Sequence, residues 1–160
     1  MKQLILITSF ALFAITAMAQ PYQTAAGIRF SPFLGISVKH FMKENLAVEG
    51  IMSTRWRGAA LIALVEYEKE IPGAAGLYFL AGGGVHIGSY QKFKYYNYTG
   101  VLYSSNDRVF SPGIDGIIGL DYKFSEMPLN ISLDLRPYID FVEGGPPSYI
   151  DGAITARYTF

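Results

Sequence analysis

Beyond its first twenty residues the chain places apolar side chains at every second position, and that spacing limits its fold more than any other feature. In 129–136, Leu129, Ile131, Leu133 and Leu135 alternate with Asn130, Ser132, Asp134 and Arg136. The chain ends the same way, with Ile154, Ala156, Tyr158 and Phe160 opposite Thr155, Arg157 and Thr159. In 114–124, Ile114, Ile118, Leu120, Tyr122 and Phe124 share a face with Gly116, against Asp115, Asp121 and Lys123. A period of two is the signature of a strand with two unlike faces. Carried along the chain, it predicts eight strands at approximately 24–31, 34–41, 46–56, 59–69, 77–90, 112–124, 129–140 and 150–160. Most are near the 9–11 residues that a tilted strand needs to cross a bilayer.

The polar face decides how those strands close. It carries Arg29, Lys39, Glu49, Arg55, Glu66, Glu68, Asp115, Asp121, Lys123, Asp134, Arg136 and Arg157, six basic and six acidic residues. An eight-stranded barrel is just wide enough inside for side chains to fill it. Balanced charges can pair there, whereas an unpaired buried charge costs several kcal/mol. The other face is Leu, Ile, Val, Ala, Gly and aromatics, which suits hydrocarbon. Closure is also required, because an open sheet edge in lipid leaves backbone groups unbonded. The expected fold is therefore all-β, an eight-stranded antiparallel transmembrane up-and-down barrel. A periplasmic β-sandwich is the competing fold, but its strands should not carry a charge at nearly every second residue of one face.

The N-terminus fits that destination. Lys2 precedes an apolar run from Leu4 to Ile15, and Ala17 and Ala19 supply small residues at a cleavage site. These are the parts of a secretory signal peptide. Residues 1–19 are expected to be removed, leaving 20–160 as one barrel domain. The run is shorter than the roughly 20 apolar residues of a membrane-spanning helix. With no Cys in the chain, neither a lipid anchor nor a disulfide framework is available. Removal of Lys2 turns 13 basic and 13 acidic residues into 12 and 13, a net charge of −1. That leaves no basic excess for holding nucleic acid.

An even strand number puts both termini on one side, expected to be the periplasm. The connections at 42–45, 70–76 and 125–128 then lie there and are short. Those near 31–33, 56–58, 91–111 and 141–149 face outward and include the two longest, as in transmembrane barrels. Tyr67, Phe79, Tyr122, Phe124, Tyr158 and Phe160 fall on the apolar face at the periplasmic rim, and Phe30 and Trp56 toward the other. Aromatic girdles at both interfaces are expected of such a wall.

The closing run Ile154-Thr155-Ala156-Arg157-Tyr158-Thr159-Phe160, with Gly113–Phe124 and Leu133-Asp134-Leu135-Arg136-Pro137, resembles the small outer-membrane β-barrel proteins of Gram-negative-type bacteria. The resemblance implies an outer-membrane location. It also implies that Tyr158 and Phe160 are read by the barrel-assembly machinery, and it brings no agreed activity.

Candidate chemistry is sparse. The histidines are His40 and His86, and His86 lies near Ser89 in sequence. Residues three apart on a strand face opposite ways, so these two should not form a nucleophile–base pair. A lumenal imidazole satisfied by its neighbours is expected instead. The run Ala81–Gly88 lacks the Lys-Ser/Thr ending and following helix of a phosphate loop. Asp115, Asp121 and Asp134 stand near Lys123 and Arg136, which favours ion pairing over metal binding. No catalytic residue, metal ligand or cofactor is expected. The 91–111 connection is unusually aromatic, and Phe93, Tyr95, Tyr96, Tyr98, Tyr103 and Arg108 are the candidate contacts for an extracellular ligand or surface. The leading expectation is a non-enzymatic barrel with a filled lumen and a structural or surface-interaction role. One alternative is a narrow channel or small-molecule transporter, with Gly82, Gly84, Gly88 and Gly119 leaving a gap; another is a lipid A-modifying enzyme. Expected partners are outer-membrane lipid and the assembly machinery.

Overall fold

A computed structural model describes residues 22–55, 58–91, 95–96, 102–103, 108–142 and 148–160. Eight long strands form one closed antiparallel barrel: β1 (Thr24–Phe30), β2 (Gly35–Lys43), β3 (Leu46–Arg55), β4 (Gly58–Glu70), β5 (Leu77–Gln91), β8 (Arg108–Lys123), β9 (Leu129–Asp140) and β10 (Ser148–Thr159). Two short strands, β6 (Tyr95–Tyr96) and β7 (Leu102–Tyr103), pair with each other between β5 and β8. Each long strand bonds its neighbour in sequence, and β1 returns to β10 to seal the wall. The seal is completed where the Phe160 N–H donates to the Thr24 carbonyl at 2.9 Å, and the Thr24 N–H to the Phe160 carbonyl at 3.2 Å. No sheet edge is left along the closed wall, as the alternation of the sequence requires.

Burial follows the pleat. In β9 the odd-numbered positions from Ile131 to Ile139 are exposed on the barrel's exterior, and the even positions from Asn130 to Asp140 are buried. Outward large apolar residues such as Leu133 (57 % exposed), Val85 (58 %) and Ile154 (52 %) contrast with inward Arg29, Lys39, Glu66 and Arg157, all at 1 % or less. This is the inverse of a water-soluble barrel. One interior wall is apolar nonetheless: Ile51, Ile62, Leu64, Leu80 and Ile117 pack together inside β3, β4, β5 and β8. Continuous apolar runs such as Ala59–Val65 hide which of their members turn inward, so the sequence pattern does not separate this patch from the outer wall.

The ends of the barrel differ. Where both termini lie, the connections are short, and Gly73 (φ +84°) and Gly76 (φ +79°) turn the chain between β4 and β5 in a region that other residues avoid. At the opposite end β5 and β8 rise as a ribbon, paired up to Gln91↔Arg108, whereas β8 meets β9 only as far as Gly113↔Asp140. The strand therefore starts at Arg108 and not near 112, because β5 continues to offer it backbone partners. Similarly β10 begins at Ser148, opposite Ile139, and not at 150.

Candidate functional site

Inward side chains from strands far apart in sequence meet in three tiers. Nearest the termini, Lys39 Nζ lies 2.6 Å from Glu66, pairs with Glu68, and stands 3.6 Å from Asp121. Lys123 Nζ joins Glu68 at 2.7 Å. It also sits over the rings of Tyr78 (3.9 Å), Phe41 (4.2 Å) and Tyr22 (5.4 Å). Tyr22 meets Phe41 edge-on at 5.4 Å. Three rings and an ammonium thus cap this mouth, with cation–π attraction added to the ion pair. Burial, followed by the Asp121 and Glu68 carboxylates, pushes the Tyr22 phenol above its ordinary value.

The middle tier is built on two arginines. Arg157 donates from Nε to Ser37 (2.8 Å), from Nη1 to Ser132 (2.9 Å) and Asn130 (3.1 Å), and from Nη2 to Glu49 (2.5 Å). Ser37 in turn donates to Glu49, and Asn130 to Asp121. Arg29 grips both oxygens of Asp134, at 2.6 and 2.8 Å, and reaches Thr155 at 3.3 Å. The planar fork of Arg suits this bidentate grip.

The third tier, toward the long connections, is centred on His86. Its Nδ1 lies 2.7 Å from Asp115 and its Nε2 2.7 Å from Asp140. Arg136 bonds Asp115 and, at 3.3 Å, Asp151. The Arg136 guanidinium lies 4.6 Å from the Tyr138 ring, which meets His86 edge-on at 5.6 Å.

Of the twelve expected lumenal charges, eleven lie inside: Arg29, Lys39, Glu49, Glu66, Glu68, Asp115, Asp121, Lys123, Asp134, Arg136 and Arg157, with Lys123 the least enclosed. The Arg55 side chain lies outside the described residues. Several partners were not foreseen. Ser37, Asn130, Ser132 and Thr155 are neutral, and only the closed register shows that they meet arginines. Asp140 and Asp151 stand at strand ends, where an acid reads as a turn residue. Tyr22, Phe41 and Tyr78 were missed because an aromatic on a polar face carries no charge signal.

His86 has carboxylates on both ring nitrogens, and Ser89 pairs with Ala59 on the opposite face of β5. His40 faces outward, with its Nδ1 2.9 Å from the Thr24 hydroxyl. The inner glycines Gly82, Gly84 and Gly119 do not leave a gap. A Cβ on each would run into the neighbouring strand's backbone, so they mark places where a tightly curved wall closes on itself.

The surface candidates divide. Tyr95 pairs with Tyr103, and Tyr96 with Leu102, across the β6–β7 ladder. Phe93 and Tyr98 lie outside the described residues, as does Trp56. Arg108 belongs to β8 opposite Gln91, and not to the connection, although it is exposed. At the opposite end Tyr158 and Phe160 face outward, their rings stacked at 6.4 Å, and Tyr122 meets Phe124 edge-on at 4.7 Å.

No family model matches the chain, and no curated protein matches it in sequence. Solved structures do. The N-terminal β-barrel domain of Pseudomonas aeruginosa OprF superposes with a TM-score of 0.62 at 16 % identity, covering 88 % of this chain and 100 % of that domain. Neisserial surface protein A superposes with a TM-score of 0.56 at 13 % identity, covering 86 % of this chain and 93 % of that one. At such identities the likeness establishes the fold, a closed eight-stranded antiparallel barrel of the kind found in those proteins.

Proposed function

We propose that the chain is an integral outer-membrane β-barrel, exported by removal of residues 1–19, whose lumen is filled and whose role is structural or lies in surface contact through the 91–111 connection. The observation that carries this reading is the inverted partition of side chains. Arg29–Asp134, Lys39–Glu66 and Arg157–Glu49 pair inside at 2 % exposure or less, while an apolar wall bounded by Tyr67, Tyr122, Tyr158 and Phe160 faces outward. Only a non-polar surrounding makes that arrangement favourable, since every apolar side chain left in water forfeits its transfer free energy. Neisserial surface protein A, whose barrel this one resembles, is named as a surface protein, which agrees with a role at the cell surface.

A filled lumen is favoured over a channel by the three tiers and the aromatic cap over Lys123. A lipid-modifying activity finds little support in a histidine whose ring nitrogens both face carboxylates. The decisive experiment replaces residues 92–107 with a short turn, leaving β5 and β8 whole. The shortened barrel is expected to enter lipid vesicles and resist protease as the full chain does, and to lose binding to whole-cell or matrix surfaces. Unchanged surface binding would remove that connection from consideration. Failure of the full chain to enter vesicles would end the membrane reading.

A further inference from the structure

The β8–β9 ladder is interrupted. Its register runs from Gly113↔Asp140 to Asp115↔Tyr138 and resumes at Ile118↔Leu135, so the rungs at Gly116/Pro137 and Ile117/Arg136 are missing. The same register, extended upward, is anchored by the Phe141 N–H donating to the Pro112 carbonyl at 2.7 Å. In an antiparallel pair, hydrogen-bonded and non-bonded rungs alternate. Pro112/Phe141 being bonded makes Gly116/Pro137 a bonded rung as well. Pro137 has no N–H to give, so the Gly116 carbonyl faces a ring where a donor belongs. In hydrocarbon an unsatisfied carbonyl costs several kcal/mol.

The exterior is hollow at the same place. A depression of about 570 Å³ is lined by Ile114, Gly116, Pro137, Ile139 and Ile150, with Ser148 and Tyr149 at its rim. One pleat lower, Ile118, Leu135 and Gly152 border a second depression of about 840 Å³, mostly apolar, which also reaches Phe30, Ser31 and Phe79. Both volumes fall within the range of small-molecule sites. From Ile139 down to Leu133 the trough follows β9 over six residue steps, about 20 Å at the ordinary strand rise. Its upper end carries Ser148 and Tyr149 at the start of β10, and its lower end is mainly aliphatic, with Phe30, Phe79 and Ser31 also in the lining. An apolar trough whose upper end lies at the start of β10 suits a lipid chain lying along the wall with its head at the interface.

We propose that this trough binds a membrane amphiphile of stated kind: a long acyl chain carrying a hydroxyl near its head, the hydroxyl donating to the Gly116 carbonyl in place of the missing Pro137 N–H. The inference rests on the membrane reading above and adds a ligand class to it. The hydroxyl matters because it supplies the hydrogen-bond donor missing at the Gly116/Pro137 rung, while the glycines at 116 and 152 leave room for the chain.

The test uses the full barrel in phosphatidylcholine vesicles and a diazirine-tailed hydroxy fatty acid, with its non-hydroxylated analogue for comparison. Labelling is expected to concentrate on outward residues of β8, β9 and β10, with the hydroxylated probe favoured roughly fivefold, as one net hydrogen bond predicts. Gly116→Leu fills the upper depression from outside; the nearest atom to a new Cβ is Pro137 Cγ at 3.3 Å, so the fold should survive. It should abolish labelling by both probes. Pro137→Val restores the backbone donor, and it should erase the preference between probes while leaving the lower trough open. Labelling spread evenly around the barrel, or a hydroxyl preference that persists in Pro137→Val, would overturn the proposal. Should Pro137→Val fail to fold, Gly116→Leu decides alone. Vesicle insertion, read separately by protease protection, distinguishes loss of the site from failure of the membrane reading.

Discussion

Gly113 stands directly opposite His86 across the β5–β8 ladder, and the space its missing side chain leaves is occupied by the imidazole. A Cβ there would overlap Cε1 and Nε2 of His86 and the carbonyl of Ile139. Gly113→Ala should therefore push His86 off Asp115 and Asp140. Losing buried hydrogen bonds to charged carboxylates in this way costs about 1–3 kcal/mol each. Gly152→Ala is the control, because its new Cβ would meet only Leu135 Cδ2, at an ordinary 3.5 Å. Denaturant unfolding in vesicles should show a large midpoint shift for the first variant and little for the second; equal shifts would refute the assigned packing.

Arg157 offers a test of the middle tier. It serves Ser37, Asn130, Ser132 and Glu49 at once, so Arg157→Leu leaves Glu49 buried without its cation. A loss of about 3–5 kcal/mol is expected. The double variant Arg157→Leu with Glu49→Leu should recover much of that loss, since removing both charges avoids the stranded carboxylate. Arg157→Lys should fall between them, for an ammonium cannot reach all four partners. A double variant less stable than the single one would mean that the pair itself, and not its desolvation, dominates.

The cap over Lys123 predicts chemical protection. Lys43 and Lys69 are exposed at the same end, whereas Lys123 is held by Glu68 and three rings. Amine acylation of Lys123 should be slower than at the rim lysines, and removal of the rings in Tyr78→Ala with Phe41→Ala should speed it by up to about tenfold, the scale of a partly desolvated cation–π contact. Planar-bilayer recording of the same double variant should still show no steady conductance, because the Arg157 tier closes the lumen above. Steady current would contradict a filled interior.

Phe160 predicts a split between stability and assembly. Its side chain is 60 % exposed and touches the stacked Tyr158 ring, so Phe160→Ala should move the unfolding midpoint by little. If the terminal aromatics are an assembly signal, the same variant should reduce the amount of folded barrel in cell envelopes several-fold. Normal envelope levels would leave Phe160 with no role beyond its lipid contact.

The wall was legible in the sequence because each strand has two unlike faces and a one-residue slip would exchange them. Leu129–Arg136 shows this most plainly, since neither of its faces could be exchanged for the other. The interior was legible only in its charges. Which acid meets which base depends on the closed register, and Arg29 finds Asp134 from 105 positions away. Asn130 and Ser132 look like ordinary polar alternates until β10 brings Arg157 beside them. Gly113 illustrates the same limit: its packing role is set by a histidine on another strand. The extended ribbon was hidden for a different reason. Val109 and Ser111 alternate too briefly with exposed neighbours to mark Arg108–Pro112 as strand, and only the length of β5 keeps them paired.

The Arg29–Asp134 bond also sets an order of events. Its two halves lie at nearly opposite ends of the polypeptide, so the first strand must wait for the ninth and tenth before its guanidinium has anywhere to go. Until then a partly built cylinder would present bare ions to hydrocarbon, which favours insertion late and all together over strand-by-strand entry. In a chain of this design the opening segment gains its inner partners only when the closing one is in place.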